Sequence, residues 1–429
     1  MRVAFLTLGC KVNKYETDLL KEKFEKAGHF VVAFEEKADM YCINSCSVTN
    51  MSDRKTRQMI SRARKVNPDA IIAVIGCSVQ SNDGQSEFLD ADIILGNDEK
   101  MNLLEVVSEF KKKEGMRKIK LQDIAKVKRY KDVGSLTYGY DLREAIKIED
   151  GCDNFCSYCI IPYIRGRVRS RDLKQIQQEA QQLVSNGVKE LVLVGIEVAS
   201  YGKDLEGVTL FDVIDILSNI SNLERIRLSS MEPRFLTSQN VAKLSTYEKL
   251  CPHFHISMQS GNDSVLKRMN RKYSKEDLIR VCEDLRKHFV SPYIAADVIV
   301  GFPGETEQEF EDTLDTINKM KLCEIHVFKY SKRKYTRAAK MEGQVDGNIK
   351  KDRSNTVLKL SKSLNQEFLE NYLNKRVKVL FENYIEGFLV GYTPNYIKVK
   401  VKGEKKLCGT IQDVVITSLE KDITLGNLC

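Results

Sequence analysis

Residues 143–162 read REAIKIEDGCDNFCSYCIIP. The opening REAIKIEDG (143–151) reads as a strand that ends on a glycine. Directly after it come Cys152, Cys156 and Cys159, with three and then two residues between them, and Pro162 follows. A loop this tight can wrap one metal centre. A structural zinc site takes four tetrahedral ligands, commonly as two paired knuckles. Here no fourth cysteine or histidine is near, and the closest histidine along the chain is His253. Three thiolates on an iron–sulfur cubane leave one iron without a protein ligand. An open iron of that kind is what chelation of a small molecule requires. A degenerate zinc loop is the competing reading.

Downstream, ELVLVG (190–195), RIRLSS (225–230), FHISMQS (254–260), YIAADVIVG (293–301) and EIHVFKY (324–330) read as further strands with helical stretches between them. Six βα units are too few for the usual closed eight-stranded barrel, so residues 141–345 are expected to form an open, partial (βα)6 barrel. Upstream, VAFLTLG (3–9), HFVVAF, MYCINSC, AIIAVIG and DIILGN are five short apolar strands. A helix is expected over 13–28, and another over 52–65 with Ser52 as its N-cap. That alternation predicts a doubly wound parallel sheet over residues 1–112. Residues 113–140 are charged and weakly patterned and read as a linker. A connecting helix (346–370) leads to residues 371–429, whose short alternating strands predict a small antiparallel β-barrel. The fold class is α/β.

The 429 residues are 42% hydrophobic, enough for sizeable cores, and no run of eighteen apolar residues suggests a membrane span. The N-terminus has too short an apolar run for a secretion signal. A cytoplasmic protein is expected, whose twelve cysteines are ligands or nucleophiles rather than a disulfide framework. The net charge of +8 lies at one end: residues 331–429 hold 19 Lys and Arg against 11 Asp and Glu, while the remainder balances. A basic end on a neutral body suggests a polyanion partner; a solvated surface is the bland alternative.

A second set of cysteines is spread through the first segment. Cys10, Cys46 and Cys77 stand at the C-terminal ends of three expected strands, and in a parallel sheet those ends share the ligand-binding edge. Three thiolates far apart in sequence can therefore converge on a second cluster. Cys42 lies mid-strand and reads as a small buried hydrophobe.

The C-x3-C-x2-C spacing, with Tyr158 before the last cysteine, resembles the radical S-adenosylmethionine superfamily. More specifically, FLTLGCKVNKYET, INSCSVTNMSDRKTRQ, IGCSVQ, IEDGCDNFCSYCIIPYIRGRVRSR, LSSMEP, MQSGNDSVLKRMNRKYS and DVIVGFPGETEQEF resemble the radical methylthiotransferases, in that family's order over nearly the whole chain. The terminal barrel is similar to the RNA-binding TRAM domain. The resemblance implies two [4Fe–4S] clusters: one on Cys152, Cys156 and Cys159 that cleaves S-adenosylmethionine, and an auxiliary one on Cys10, Cys46 and Cys77 that carries the inserted sulfur. It implies a tRNA substrate, an electron donor such as flavodoxin or ferredoxin, a sulfur source, and no membrane. KVN after Cys10 resembles the branch acting on N6-threonylcarbamoyladenosine beside the anticodon. The segment after the last barrel strand resembles it too, but reads Lys334–Tyr335–Thr336–Arg337 where that branch has a Gly–Thr–Pro turn. The alternatives are isopentenyladenosine in tRNA, a ribosomal protein aspartate, or a non-catalytic iron–sulfur RNA-binding protein.

Further candidates follow from position. Glu197, Ser230, Glu232 and Gln259 lie at barrel strand ends, where a barrel places its site, although each can equally cap a helix. Tyr158, Gly301 and Gly304 are expected beside S-adenosylmethionine, the glycines by letting the backbone approach it closely. Asp297, within a strand, needs a partner if buried. Arg165, Arg167, Arg169 and Arg171 share one face if extended, and Arg165 and Arg167 are expected to contact RNA. So are Lys332 and Arg333 in the basic stretch, and Lys398 and Lys400, which alternate with inward-pointing valines. The helix bearing Arg54, Lys55, Arg57, Arg62, Arg64 and Lys65 would offer RNA a basic surface. Phe388, Tyr392 and Tyr396 can stack on bases or serve as core. His253 and His255 read as structural, with metal ligation the alternative.

Overall fold

The computed structural model describes residues 1–81, 88, 90–110, 117–420 and 423–429. Its first layer is a sheet of β1 (Arg2–Thr7), β2 (Phe30–Val32), β3 (Met40–Ser45), β4 (Ile71–Gly76), β5 (Ile93–Leu95) and β6 (Lys118–Lys120) in the order 2-1-3-4-5-6. Every pairing is parallel. All six residues of β3 are buried, as expected of a strand covered on both faces by helices. The helix α1 (Lys11–Lys26) buries Leu19, Leu20 and Phe24, and Phe24 meets Phe5 edge-on at 5.5 Å. The helix α2 (Asn50–Val66) is capped by Thr49, whose hydroxyl accepts from the Ser52 amide; Ser52, expected as the cap, sits inside the first turn. Part of the stretch read as a linker is also sheet. Lys118–Lys120 pairs with β5 because the pleat asks for backbone hydrogen bonds, which a charged edge strand supplies without an apolar pattern. Residues 113–116 of that stretch lie outside the described residues.

The second layer is the open barrel. Arg143–Lys147, Glu190–Val194 and Arg225–Leu228 form one parallel ladder. His253–Gln259, Tyr293–Val300 and Glu324–Lys329 form another. Bridges from Ile226 to Leu250 and from Met231 to Ile256 join the two into one curved wall. The long helix Gly347–Glu370 covers its last strand, where Ser361 Oγ accepts from the Ile325 amide at 2.9 Å.

The terminal barrel closes in the order Arg376–Ile385, Phe388–Tyr392, Lys398–Lys402, Ile423–Leu428, Ile411–Glu420. Four of its pairings are antiparallel and one, Lys398–Lys402 with Ile423–Leu428, is parallel. The small antiparallel barrel expected here thus carries one parallel pairing, because a ring of five strands cannot alternate in direction all the way round. This barrel docks on the N-terminal ends of the first three strands of the open barrel. Arg225 donates to the Tyr392 carbonyl at 2.8 Å and Arg227 to that of Pro394 at 2.9 Å. Tyr392 and Tyr396 lie under the Arg143 and Arg227 guanidinium groups at 4.6 and 4.8 Å. These tyrosines serve docking rather than base stacking.

The first α/β layer meets a buried ion pair of the second through Tyr15. Arg171 pairs with Glu179, and the Tyr15 hydroxyl donates to the same carboxylate at 3.0 Å; Arg171 and Glu179 are each 1% exposed. Breaking such a pair leaves an uncompensated buried charge, at a cost of about 3–5 kcal/mol. Arg171→Leu is expected to lose stability on that scale in denaturant unfolding. Arg171→Leu combined with Glu179→Leu is expected to recover most of it.

Candidate active site

The loop that opens the second layer is held in shape by its own backbone. Gly151 has φ +92°, and a Cβ there would lie 1.9 Å from the Arg167 carbonyl oxygen, so only glycine fits. Cys152 N–H donates to the Gly166 carbonyl at 3.1 Å, and Ser157 N–H to that of Met269 at 3.0 Å. The Asn154 amide points at Cys152 Sγ (3.5 Å), and Arg271 Nη1 donates to Cys156 Sγ at 3.0 Å. Arg271 is fixed by Tyr273 and by the Ser257 carbonyl. Sequence reasoning missed Arg271 because, within MNRKYS, its charge resembles any solvated one.

The second trio forms at the C-terminal edge of the first sheet. Cys10 is the N-cap residue of α1, Cys46 follows β3, and Cys77 opens the short helix Cys77–Ser81. Gly9 (φ +102°) makes the approach possible, since a Cβ there would sit 2.9 Å from Cys46 Sγ. Cys42 is buried in mid-strand, as expected. Within each trio every thiol lies in electrostatic reach of the other two. Burial pushes the Cys46 thiol up to about 11 and that of Cys159 to about 12, so neither is an activated nucleophile by itself.

Spacing separates the metal readings. Among the described residues only His255, Asp297 and His326 bring three potential ligand atoms within 4.8 Å of one another. Neither cysteine trio closes that far. Tetrahedral zinc holds its thiolates roughly 3.8 Å apart, from a Zn–S bond of about 2.3 Å. A cubane, whose ligands sit on separate corners, needs no such close approach.

The two trios are joined by one turn. Cys159 leads into Ile160 and the helix Ile161–Ile164, and Ile160 and Ile164 pack on Cys77. Arg165 ends the turn and donates Nε–H to Cys77 Sγ at 3.3 Å. It is completely buried, with Nη1 on Asp150 at 3.0 Å and Nη2 on Asn13 at 2.7 Å. Arg165 therefore does not contact RNA from this position: its charge is internal. A buried cation against a thiol fits an ionised, metal-bound sulfur.

A cavity opens beside the turn, lined by Tyr158, Cys159, Gln259, Asp297, Ile299 and Phe328 from the barrel and by Val48 and Thr49 from the first layer. Gln259 has φ +66° at its strand end. Glu197 is buried, and its Oε1 accepts from the Glu232 amide at 3.1 Å. Burial, followed by the Glu232 charge, raises its carboxyl to about 7. Burial opposes ionisation of Glu232 as well, but the hydrogen bonds from Arg234 and the charges of Arg271, Arg234 and Lys203 together outweigh it and hold this carboxyl below its usual range. Glu232 also accepts from Asn154 of the cysteine loop at 3.2 Å. Ser230 is half-buried, two residues beyond the strand Arg225–Leu228. Asp297 finds its partner in His255 Nε2, 2.9 Å away, with His326 Nδ1 at 3.6 Å. His253 is buried against Tyr293 and Tyr396. Gly301 and Gly304 differ from expectation. Both have positive φ, but Gly301 faces Lys350 and Gly304 donates to the Gly343 carbonyl. Their freedom serves turn geometry and protein packing, not approach to the cavity.

Comparison with known proteins bears on this arrangement. Residues 146–317 match the model of the radical SAM superfamily, and residues 2–96 that of the uncharacterized protein family UPF0004. The chain is 40% identical to the threonylcarbamoyladenosine tRNA methylthiotransferase MtaB of Bacillus subtilis, over 96% of this chain and 93% of that one. It is 36% identical to the MtaB of Aquifex aeolicus (95% and 98% covered). To the tRNA-2-methylthio-N(6)-dimethylallyladenosine synthase of Alkaliphilus oremlandii it is 34% identical (96% and 89%). The chain belongs to the radical SAM tRNA methylthiotransferases. The radical S-adenosylmethionine methyltransferase TsrM from Kitasatospora setae shares the fold, with a TM-score of 0.54 at 16% identity over 76% of this chain and 73% of that one.

In this methylthiotransferase the basic candidates divide by burial. Arg333 is buried, pairing with Asp53 at 2.8 Å and donating to Ser47 Oγ at 2.7 Å; it ties the first layer to the barrel and is not exposed for RNA. Arg169 and Arg171 are buried also, leaving Arg167 exposed over the Phe155 ring. Arg64 bonds inward to Asp92 and to backbone carbonyls. Lys332 is exposed; Lys398 and Lys400 are half-buried and alternate with buried Val399 and Val401. No helix among the described residues is long and apolar enough to cross a membrane.

Glu197 makes the fold sensitive to pH. Its ordinary value is 4.5 and its folded value about 7, so the folded state holds the proton more tightly. The stability this provides is complete at low pH and is lost as pH rises from 4.5 to 7. Anaerobic thermal unfolding across that window is expected to show wild type falling relative to Glu197→Gln, which cannot ionise.

Proposed function

We propose that this chain inserts a methylthio group at C2 of N6-threonylcarbamoyladenosine beside the tRNA anticodon, with S-adenosylmethionine as methyl donor and radical source. The observation that carries the reading is the pair of cysteine trios, each gathered within electrostatic reach and joined by the turn 160–165. A [4Fe–4S] cluster held by Cys152, Cys156 and Cys159 would supply the electron that splits S-adenosylmethionine, and a second held by Cys10, Cys46 and Cys77 would supply the sulfur. Adenine C2–H is neither acidic nor electrophilic, so acid–base catalysis does not reach it and a radical route is needed.

The side chains have distinct tasks in this reading. Arg271 and the Asn154 amide orient the thiols of Cys156 and Cys152. Glu197, Glu232 and Gln259 offer polar groups for the methionyl amine and ribose, and Tyr158 closes the cavity beside Cys159. The apolar walls at Ile299 and Phe328 exclude water from a reactive radical. Arg167, Lys332, Lys398 and Lys400 are the candidates for RNA phosphates. Flavodoxin or ferredoxin would be the electron donor, and a separate sulfur source would restore the second cluster. The substrate assignment draws on KVN at 11–13 and on the MtaB relatives.

Mass spectrometry of tRNA nucleosides from a deletion strain tests the substrate. Loss of the methylthio form of threonylcarbamoyladenosine is expected; loss of the isopentenyl form instead would reassign it. With reconstituted, reduced enzyme, Cys156→Ala is expected to abolish S-adenosylmethionine cleavage. Cys46→Ala is expected to retain cleavage but form no methylthio product. Full turnover by Cys46→Ala would sink the assignment of the second trio.

A further inference from the structure

At Cys77 the surroundings are closed and cationic. Arg165, Lys100, Lys147 and Arg169 face the carboxylates of Glu16 and Asp150, and all six residues are buried. Lys100 Nζ lies 2.5 Å from Glu16 Oε2, and Lys147 Nζ lies 2.8 Å from Glu16 and 2.7 Å from Asp150. Arg169 is 3.8 Å from Asp150. The set therefore carries an excess of positive charge away from water, and Arg165 delivers it to Cys77 Sγ as a charged N–H donor at 3.3 Å. At the other trio Arg271 likewise donates to Cys156 Sγ, at 3.0 Å, and Arg234, which reaches solvent, and Lys203 stand near Glu197 and Glu232.

We propose that Arg165 is a positioning residue that raises the reduction potential of the cluster held by Cys10, Cys46 and Cys77. This rests on the two-cluster reading given above. Reduction adds one negative charge to a thiolate-bound cluster, and hydrogen bonds to its sulfurs together with nearby net charge set how favourable that is. In a water-excluded shell an unbalanced cation stabilises the reduced form far more than it would in solvent. Arg165 closes the six-residue turn that begins at Ile160 beside Cys159, so the element that spaces the two centres also carries this charge.

The test is an anaerobic redox titration of the full chain loaded with both clusters, followed by electron paramagnetic resonance. A chain with all of Cys152, Cys156 and Cys159 changed to Ala assigns the signals. Arg165→Gln is expected to shift the reduction equilibrium of the N-terminal cluster at least tenfold toward the oxidised form, about 59 mV for one electron. Arg165→Lys, which keeps the charge, is expected to restore part of that shift. Glu16→Gln and Asp150→Asn, which remove the opposing charges, are expected to shift it the other way, with the second cluster unchanged in every variant. A merely structural role predicts no such reversal of sign. Unchanged potentials in iron-loaded Arg165→Gln, or shifts of one sign in all variants, would overturn the proposal. If Arg165→Gln fails to take up iron, the acid-to-amide variants decide it, and a null result there overturns it. Wild-type chain without iron would instead remove the two-cluster reading itself.

Discussion

The bond from Arg165 to Cys77 is the contact on which the functional architecture depends. It draws one charged group from the barrel into the edge of the first sheet. There it meets Asn13, Glu16 and Asp150, residues from both layers. A guanidinium can do this because its donors form a rigid fork, so four partners are satisfied from one side chain without solvent. Once that fork is seated, the turn from Ile160 is immobilised and Cys159 is fixed relative to Cys77. The separate Arg171–Glu179–Tyr15 contact holds the same two layers from farther back.

Glycine geometry supplies the complementary freedom. Gly9 lets Cys46 come against the chain beside Cys10, and Gly151 lets the cysteine loop lie on the Arg167 carbonyl. Both have positive φ, and each precedes a cysteine of one trio. Gly301 and Gly304 share the conformation but not the purpose, since their neighbours are Lys350 and Gly343. A glycine motif thus announces backbone strain relief without saying what approaches it.

Docking of the terminal barrel is a second consequence of buried arginine. Arg143, Arg225 and Arg227 rise from the N-terminal ends of two strands to carbonyls and rings of that barrel, with Glu190 of the strand between them beneath. The basic domain therefore sits at the opposite end of the strands from the cysteine loop, and the RNA candidates on Lys398 and Lys400 lie far along the fold from Arg167.

Much of this was legible in the residue order. Strand periods, the C-x3-C-x2-C spacing and the placement of Cys10, Cys46 and Cys77 at strand ends are local patterns, and the parallel sheet, the six-stranded open barrel and the paired trios follow them. Charge was not legible in the same way. Arg165, Arg169, Arg171 and Arg333 read as a basic surface and are buried; Arg271 drew no notice and touches a cysteine. The physical reason is that a cation's role depends on whether a carboxylate or a thiol from a distant segment meets it. Here those partners, Glu16 and Cys77 for Arg165 and Asp53 for Arg333, come from another layer of the fold. Periodicity along the chain decides which face is apolar; only packing between layers decides which charges are left to water.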